Sequence, residues 1–174
     1  FCSFAFHQAH FEFIDKNFKG VYSHCVDLDR KSLKELSDKK FDSLKFKVYN
    51  IDANKFIKNS SLRNIDLILI NTTLHEINDI SNKKRYLKNL FKEFCKLLKK
   101  DGKILIGDYY YPDNLKNDLV KKFIEYQKKS INHADARNKF VNPNLIKKIA
   151  IKSKLKINYF KEIRAVKEIN RRYY

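Results

Sequence analysis

The chain has 174 residues, which is enough for one domain with a substantial core. A hydrophobic content of 43% and an aromatic content of 14% are typical of a packed globule and exclude a disordered chain. No apolar run reaches the roughly 20 residues of a membrane span, and residues 1–19 lack the apolar core of a signal peptide. We therefore predict a single domain over residues 1–174, without a membrane partner.

The formal net charge of +18 has two interpretations. A basic surface could bind nucleic acid, or lysine could be abundant everywhere without forming a site. The clearest row of lysines comprises Lys88, Lys92, Lys96, Lys99 and Lys103. It falls mostly on the outer face of one predicted helix, which favours a solvated surface.

The three cysteines, Cys2, Cys25 and Cys95, are widely spaced and lie within apolar patterns. Their odd number and the absence of any CxxC spacing argue against a disulfide framework or a zinc site. This usage indicates reduced core cysteines and a cytoplasmic protein.

The first half of the chain alternates between helical and strand patterns. Side chains at steps of three and four within residues 1–19 predict a helix, which Gly20 closes; they are Phe4, His7, Phe11, Ile14 and Phe18. Predicted strands follow at residues 21–26, 44–51 and 65–70. Helices are predicted between them at residues 32–40 and 54–58.

The second half continues this pattern and then changes. Ser81 is predicted to cap a helix that Gly102 ends, followed by a strand at residues 103–107. A helix at residues 114–130 and one opened by Asn142 and Pro143 come next. Residues 155–159 and 162–169 are close enough along the chain to pair as a hairpin.

Strict alternation of helices and strands is typical of βαβ units with right-handed crossovers. We therefore predict an α/β fold of three layers, with a mostly parallel sheet between helices and an antiparallel hairpin at the C-terminal end. Ligands of such sheets bind outside the carboxyl ends of the strands. Four segments follow predicted strands: residues 27–29, 52–53, 71–75 and 108–110.

Three of these segments begin with an aspartate, namely Asp27, Asp52 and Asp108. A carboxylate at a strand end can accept hydrogen bonds from two adjacent ribose hydroxyls, each worth roughly 1.5–3 kcal/mol. The alternative is that each aspartate only caps the next helix. Several carboxylates at strand ends in register favour a ligand site.

These segments together resemble class I S-adenosylmethionine-dependent methyltransferases over residues 21–113. Residues 26–29 (VDLD) resemble the acidic motif after the family's second strand, and residues 50–53 (NIDA) resemble its third-strand motif. Residues 65–77 resemble the fourth strand with its loop, and residues 97–106 resemble the following helix, turn and strand. Each motif is weak alone, but their order and spacing together are fairly specific.

The resemblance implies a Rossmann-like methyltransferase fold and S-adenosylmethionine as the cofactor. It implies that Asp27 holds the ribose, Asp52 the adenine amino group, and Asn71 the methionine portion. The cofactor-binding residues that it implies are Asp27, Leu28, Asp52, Ala53, Asn71 and Thr72.

The family's glycine-rich loop after its first strand is not visible in this chain. Either that strand and loop lie upstream of Phe1, or residues 1–3 are a degenerate remnant of the loop. We expect the first, because residues 1–19 are predicted to form the helix that follows such a loop.

The acceptor side of the site is less determined. His75 follows a predicted strand end, and His133 lies in a polar segment between two predicted helices. Either could serve as a general base if the acceptor must lose a proton. Tyr110, which follows another strand, is predicted to line the acceptor pocket. No metal site is predicted, since His133 and Asp135 supply too few ligands.

The sequence is compatible with three functions. The first is methyl transfer from S-adenosylmethionine to a small-molecule acceptor, which we favour over RNA. The second is a non-catalytic methyltransferase-like subunit that binds RNA or a protein through its basic surface. The third, a nicotinamide-dependent oxidoreductase, is disfavoured because residues 52–53 and the terminal hairpin suit the methyltransferase plan better.

Overall fold

A computed structural model describes residues 2–4, 8–71, 73–74, 83–108, 110, 122 and 142–162. The chain divides into two compact units, Phe1–Tyr109 and Tyr110–Tyr174. The predicted single domain over residues 1–174 stays a prediction.

The first unit contains a five-stranded sheet. Its strands are β1 (Cys2–Phe4), β2 (Val21–Asp27), β3 (Leu44–Asn50), β4 (Ile65–Asn71) and β5 (Leu98–Gly107). They lie in the order β3-β2-β1-β4-β5, and every pairing is parallel. The predicted α/β architecture with a parallel sheet is confirmed for this part of the chain.

Helices connect these strands in sequence. The first unit contains α1 (Gln8–Asn17), α2 (Arg30–Ser37), α3 (Ala53–Asn59) and α4 (Lys83–Leu97). Gly20 adopts a left-handed backbone, φ 69°, between α1 and β2, as expected for the glycine predicted to close the first helix. Ser81, the predicted cap of the helix now seen as α4, lies outside the described residues.

One face of the sheet packs against α1 and α2. The buried cluster there contains Phe11, Cys25, Leu36 and Leu44, and five partly buried side chains pack against it: Ile14, Val21, Phe41, Phe46 and Val48. Burial raises the pKa of the Cys25 thiol to about 11, so this cysteine is a neutral core residue, as predicted. Cys95 is also a free thiol and is half-buried.

The opposite face packs against α3. The ring of Tyr49 on β3 lies 4.8 Å from that of Phe56 on α3, measured between centroids. Because side chains alternate along a strand, Tyr49 and the core residue Val48 lie on different faces. Helices therefore cover both faces, as the three-layer prediction requires.

The interior of the sheet is apolar on both faces at β4. Ile68 and Ile70 are fully buried, and Leu69 between them is 8% exposed. Burial on both faces is expected for an inner parallel strand, and β4 lies between β1 and β5. The interpretation of residues 65–70 as a buried inner strand is confirmed.

The prediction of a helix within residues 1–19 is confirmed for Gln8–Asn17 and was wrong for residues 2–4. Residues 2–4 do not begin a helix but form β1, which pairs with β2 and β4 in the middle of the sheet. The first strand of the sheet is therefore present in this chain, and Cys2 and Ser3 belong to it rather than to a remnant of the glycine-rich loop. The segment that joins β1 to α1 is Ala5-Phe6-His7 in the sequence, which contains no glycine.

The role predicted for Gly102 was also wrong. Helix α4 ends at Leu97, and Gly102 lies inside β5. A Cβ at Gly102 would lie 2.7 Å from the carbonyl oxygen of Ile65 and 2.9 Å from Leu98 Cδ2. Glycine is required here because the backbone of β4 approaches closely, next to a register shift between Ile65 and Leu67.

The second unit contains α5 (Pro143–Lys152). The Asn142 side chain caps it by accepting a hydrogen bond from the backbone N–H of Asn144 at 2.8 Å, which confirms the predicted helix start. Residues 155–162 form neither strand nor helix, and the Lys147 ammonium lies 3.4 Å from the ring centroid of Phe160. The predicted first strand of the hairpin, residues 155–159, is therefore not formed, and residues 163–169 lie outside the described residues. Within the described ranges, no helix has the length and apolarity needed to cross a membrane.

Candidate functional site

The strand order of the sheet reverses between β1 and β4, because the chain leaves β3 at one edge and re-enters on the other side of β1. In open parallel sheets, ligands bind in the crevice outside the carboxyl ends at such a switch point. Phe4 pairs with Val26 on one side and with Ile70 on the other. Asp27 and Asn71 are the next and last residues of β2 and β4, so the two strands end at the same level along the strand direction.

These two polar side chains flank the end of β1. With neighbouring strands about 4.8 Å apart, their backbones are roughly 10 Å from each other. The register extends this row outward, since Asp27 pairs with Asn50 on β3 and Asn71 pairs with Gly107 on β5. These four residues are the last residues of β2, β3, β4 and β5 at the carboxyl edge of the sheet, and we call them the edge row.

The two aspartates at the end of β2 and in the turn after it, Asp27 and Asp29, have different roles. Asp29 is the N-cap of α2: it accepts from the backbone N–H of Lys31 at 3.0 Å and from Ser32 Oγ at 2.5 Å. The Ser32 hydrogen bond, followed by that from Lys31, holds the pKa of Asp29 below its usual value. Asp27 Oδ1 accepts from the backbone N–H of Asp29 at 2.9 Å, and Oδ2 makes no hydrogen bond within the described part of the chain. Asp27 therefore keeps an oxygen with which to accept from a ligand.

Asn50 fixes the turn that carries Asp27. Its Nδ2 donates to the carbonyl oxygens of Leu28 at 2.9 Å and Asp27 at 3.2 Å, while its Oδ1 accepts from Arg30 Nε at 2.8 Å. One side chain at the end of β3 thus holds two consecutive carbonyl groups at the start of the turn after β2, together with the side chain of Arg30. The sequence motif at residues 50–53 includes Asn50 without assigning it this role, and no motif includes Arg30. The signal that could have identified Asn50 is an amide at the last position of a strand that neighbours an acidic turn.

Asp52 and Ala53 lie at the start of α3. The Asp52 side chain caps this helix by accepting from the backbone N–H of Lys55 at 3.0 Å, and Ala53 is 9% exposed. Asp52 therefore caps a helix, as Asp29 does. A cap occupies one carboxylate oxygen, so it does not prevent Asp52 from also accepting from a ligand.

Asn71 is packed against β5. A Cβ added to Gly107 would lie 3.2 Å from Asn71 Oδ1, so the missing side chain at Gly107 leaves room for the amide. The backbone oxygen of Asn71 accepts from Thr73 Oγ1 at 2.7 Å, which tightens the turn beyond β4. Leu74, at the end of that turn, is fully buried. Asn71 is therefore held at the edge of the switch point.

For most of the remaining predicted residues, the described structure does not test a position at this edge. Thr72, His75 and His133 lie outside the described residues. Tyr110 is half-buried and belongs to the second unit. Leu28 is 66% exposed beside the Asp27 turn. Among the described side chains, His, Cys, Asp and Glu form no group of three or more that could hold a metal ion.

Comparison with known proteins agrees with this geometry at the level of the fold. The structure is similar to the crystal structure of a SAM-dependent methyltransferase from Methanosarcina mazei, with a TM-score of 0.56 and 13% sequence identity. The similarity covers 92% of this chain and 81% of the other. No protein-family model matches the sequence, and no curated protein matches it significantly. The chain thus shares the fold of a SAM-dependent methyltransferase.

Proposed function

We propose that this chain binds S-adenosylmethionine at the edge row and transfers its methyl group to a small-molecule acceptor. The observation that carries the proposal is the position of Asp27 and Asn71 at one level on either side of β1, where the strand order reverses. The fold shared with a SAM-dependent methyltransferase supports it.

Each residue of the site has a proposed role that fits its described contacts. Asp27 would accept from the ribose hydroxyls through Oδ2, because Oδ1 is engaged by the turn. Asp52 would accept from the adenine amino group beside its capping bond, with Leu28 and Ala53 next to the ring. Asn71 and Thr72 would hold the methionine portion.

When bound, S-adenosylmethionine supplies a methyl group that its sulfonium already activates. The protein then contributes mainly alignment of the acceptor, and proximity with orientation can account for roughly 7–11 kcal/mol in ideal cases. Tyr110 is proposed to line the acceptor pocket. His75 or His133 is proposed as the general base for an acceptor that must lose a proton.

Isothermal titration with S-adenosylhomocysteine tests the cofactor site. Replacing Asp27 by Ala should weaken binding by about 2–4 kcal/mol, because the charged acceptor of the ribose hydroxyls is lost. The matched control is Asp66→Ala. Asp66 is an exposed carboxylate near the amino end of β4, at the opposite edge of the sheet, where it pairs with Lys99. The control should bind like the wild type, and equal affinities for all three proteins would remove Asp27 from the site.

A specific observation favours the second candidate, a non-catalytic methyltransferase-like subunit. A glycine-rich loop lets the backbone approach a cofactor closely, and residues 5–7 after β1 are Ala-Phe-His. The same titration separates the two functions. No heat of binding with the folded wild-type protein would favour the non-catalytic subunit, and saturable binding would favour the enzyme.

A further inference from the structure

A second surface of the sheet carries aromatic and basic side chains that have no role in the proposed methyl transfer. It is the face of β2 and β3 opposite to α1 and α2, and it consists of Tyr22, His24, Val26, Lys45, Lys47 and Tyr49. We call these six residues the Tyr22 face. The register places Lys45 beside Tyr22 and Lys47 beside His24. Phe56 of α3 contacts the Tyr49 end of this face, and Tyr22 at the other end is 49% exposed.

The aromatic rings of this face are held in place by one another. The ring centroids of Tyr22 and His24 are 5.2 Å apart, and those of His24 and Tyr49 are 5.8 Å apart. His24 Nδ1 and the Tyr49 hydroxyl are hydrogen-bonded at 3.0 Å. Burial, with positive charge nearby that includes Lys47, lowers the pKa of His24. The imidazole is therefore a neutral ring at physiological pH, and the three rings form a preorganised π surface.

The charge of this face has one sign. Lys45 and Lys47 are exposed, and the Lys47 ammonium lies 5.3 Å from the ring centroid of Tyr49. All six positions are described by the structure, and none of them carries a carboxylate. Lysines with aromatic rings and without acidic neighbours complement a ligand that has phosphates and flat bases.

The lysine row noted in the sequence differs in this respect. Lys88, Lys92 and Lys96 are exposed on α4, but Lys96 bridges Glu93 at 2.8 Å. Lys99, on β5, is paired with Asp66. Part of the charge of that row is thus already compensated, and the Tyr22 face is the better candidate for a polyanion.

We infer that the Tyr22 face binds single-stranded RNA. Bases stack on Tyr22 and its neighbouring rings, while Lys45 and Lys47 contact phosphates. A single strand is required because the faces of the bases are inaccessible in a duplex. RNA is inferred rather than DNA because proteins typically recognise RNA in single-stranded segments whose bases are unpaired and splayed out. Tyr22 is five residues before Asp27 on β2, about 17 Å along the strand, so this site is separate from the edge row and does not require the cofactor.

Fluorescence anisotropy with a labelled twelve-nucleotide oligouridylate tests this inference on the full chain. Loss of a stacked base through Tyr22→Ala should weaken binding about 5- to 150-fold. Tyr22→Phe keeps the ring and should bind like the wild type. The double variant Lys45→Gln, Lys47→Gln should reduce the slope of log affinity against log salt by about 1.4, since each contact to a single strand contributes about 0.7.

Matched controls lie in the opposite layer. Phe13→Ala removes a 61% exposed ring from α1, and Lys31→Gln with Lys34→Gln removes two exposed charges from α2. Both proteins should keep wild-type affinity and salt dependence. Circular dichroism establishes that each variant is folded. Should Tyr22→Ala fail to fold, Tyr22→Phe and the double lysine variant still decide the outcome.

Three results would overturn the inference. One is equal weakening by Tyr22→Ala and Phe13→Ala. Another is an affinity for double-stranded RNA as high as that for the single strand, which would indicate charge alone. The third is tighter binding of the matching oligodeoxynucleotide, which would contradict the assignment to RNA.

Discussion

At the scale of residues, carboxylates in this chain stabilise connections by accepting from backbone N–H groups. Asp29 and Asp52 accept from N–H groups at the start of a helix. Asp15, near the end of α1, accepts from N–H groups of a segment that is distant along the chain. The Asp15 carboxylate accepts from the N–H groups of Ser43 at 2.7 Å, Leu44 at 2.8 Å and Asp42 at 3.1 Å. One side chain thus fixes the approach to β3.

Replacing Asp15 by Ala should lower the thermal midpoint, and the difference from the wild type should depend on pH. The backbone hydrogen bond from Ser43, with those from Asp42 and Leu44, holds the pKa of Asp15 below its ordinary value of 3.8. A carboxylate whose pKa is lower in the folded than in the unfolded state contributes its full stabilisation at pH values above the unfolded-state pKa. This contribution is lost as the pH falls through the folded-state pKa. The difference should therefore be constant between about pH 7 and 5 and should shrink below about pH 4.

Melting curves at pH 7, 5 and 3 measure this effect. Glu12→Gln is the control, because it changes a carboxylate of the same helix whose ion pair with Lys39, at 3.7 Å, is largely solvated. A difference for Asp15→Ala that stayed the same down to pH 3 would show that the charge of the carboxylate is not what stabilises this connection.

At the scale of elements, β5 shows how close backbone approach limits the sequence. Gly102 faces the carbonyl oxygen of Ile65 at a distance that no Cβ tolerates, whereas Gly107 faces only the side-chain oxygen of Asn71. Backbone in the middle of a sheet cannot move without breaking its hydrogen-bond ladder, but a side chain can shift by a few tenths of an ångström. The two glycines of one strand should therefore respond differently to the same substitution.

Gly102→Ala should destabilise the protein by about 1–3 kcal/mol, as overpacking does in other interiors. Gly107→Ala should cost less, because Asn71 can adjust. Urea unfolding of both variants and the wild type measures the difference. Equal midpoints for Gly102→Ala and the wild type would mean that β4 and β5 can separate at this point without cost.

At the scale of the whole molecule, the fold and the proposed ligand are coupled. A ligand that binds only the folded chain stabilises it by about 2.7 kcal/mol at a hundredfold excess over its dissociation constant. S-adenosylhomocysteine is the ligand that follows from the proposed function.

Saturating S-adenosylhomocysteine should therefore raise the thermal midpoint by about 5–10 °C. NADH at the same concentration is the comparison, since a nicotinamide-dependent enzyme would respond to it instead. A larger shift with NADH would contradict the proposed cofactor, and no shift with either ligand would favour the non-catalytic subunit.

Much of the fold could be predicted from the sequence because the relevant patterns are local. The apolar run at residues 65–70 specifies a strand buried on both faces, and Asn142 with Pro143 specifies a helix start. The positions of Asp27, Asp52 and Asn71 at strand ends follow from these same local patterns. Helix and strand periodicities extend over a few residues, so neighbouring positions are sufficient to recognise them.

Only the tertiary structure decided which strand ends meet. Cys2–Phe4 is too short to show a strand period and continues the helical spacing of the residues after it, so its central position comes from its pairing with β2 and β4. Likewise, Asn50 holds the Asp27 turn only because β3 lies in register beside β2. Strand order and register join residues that are distant along the chain, and no local pattern records them.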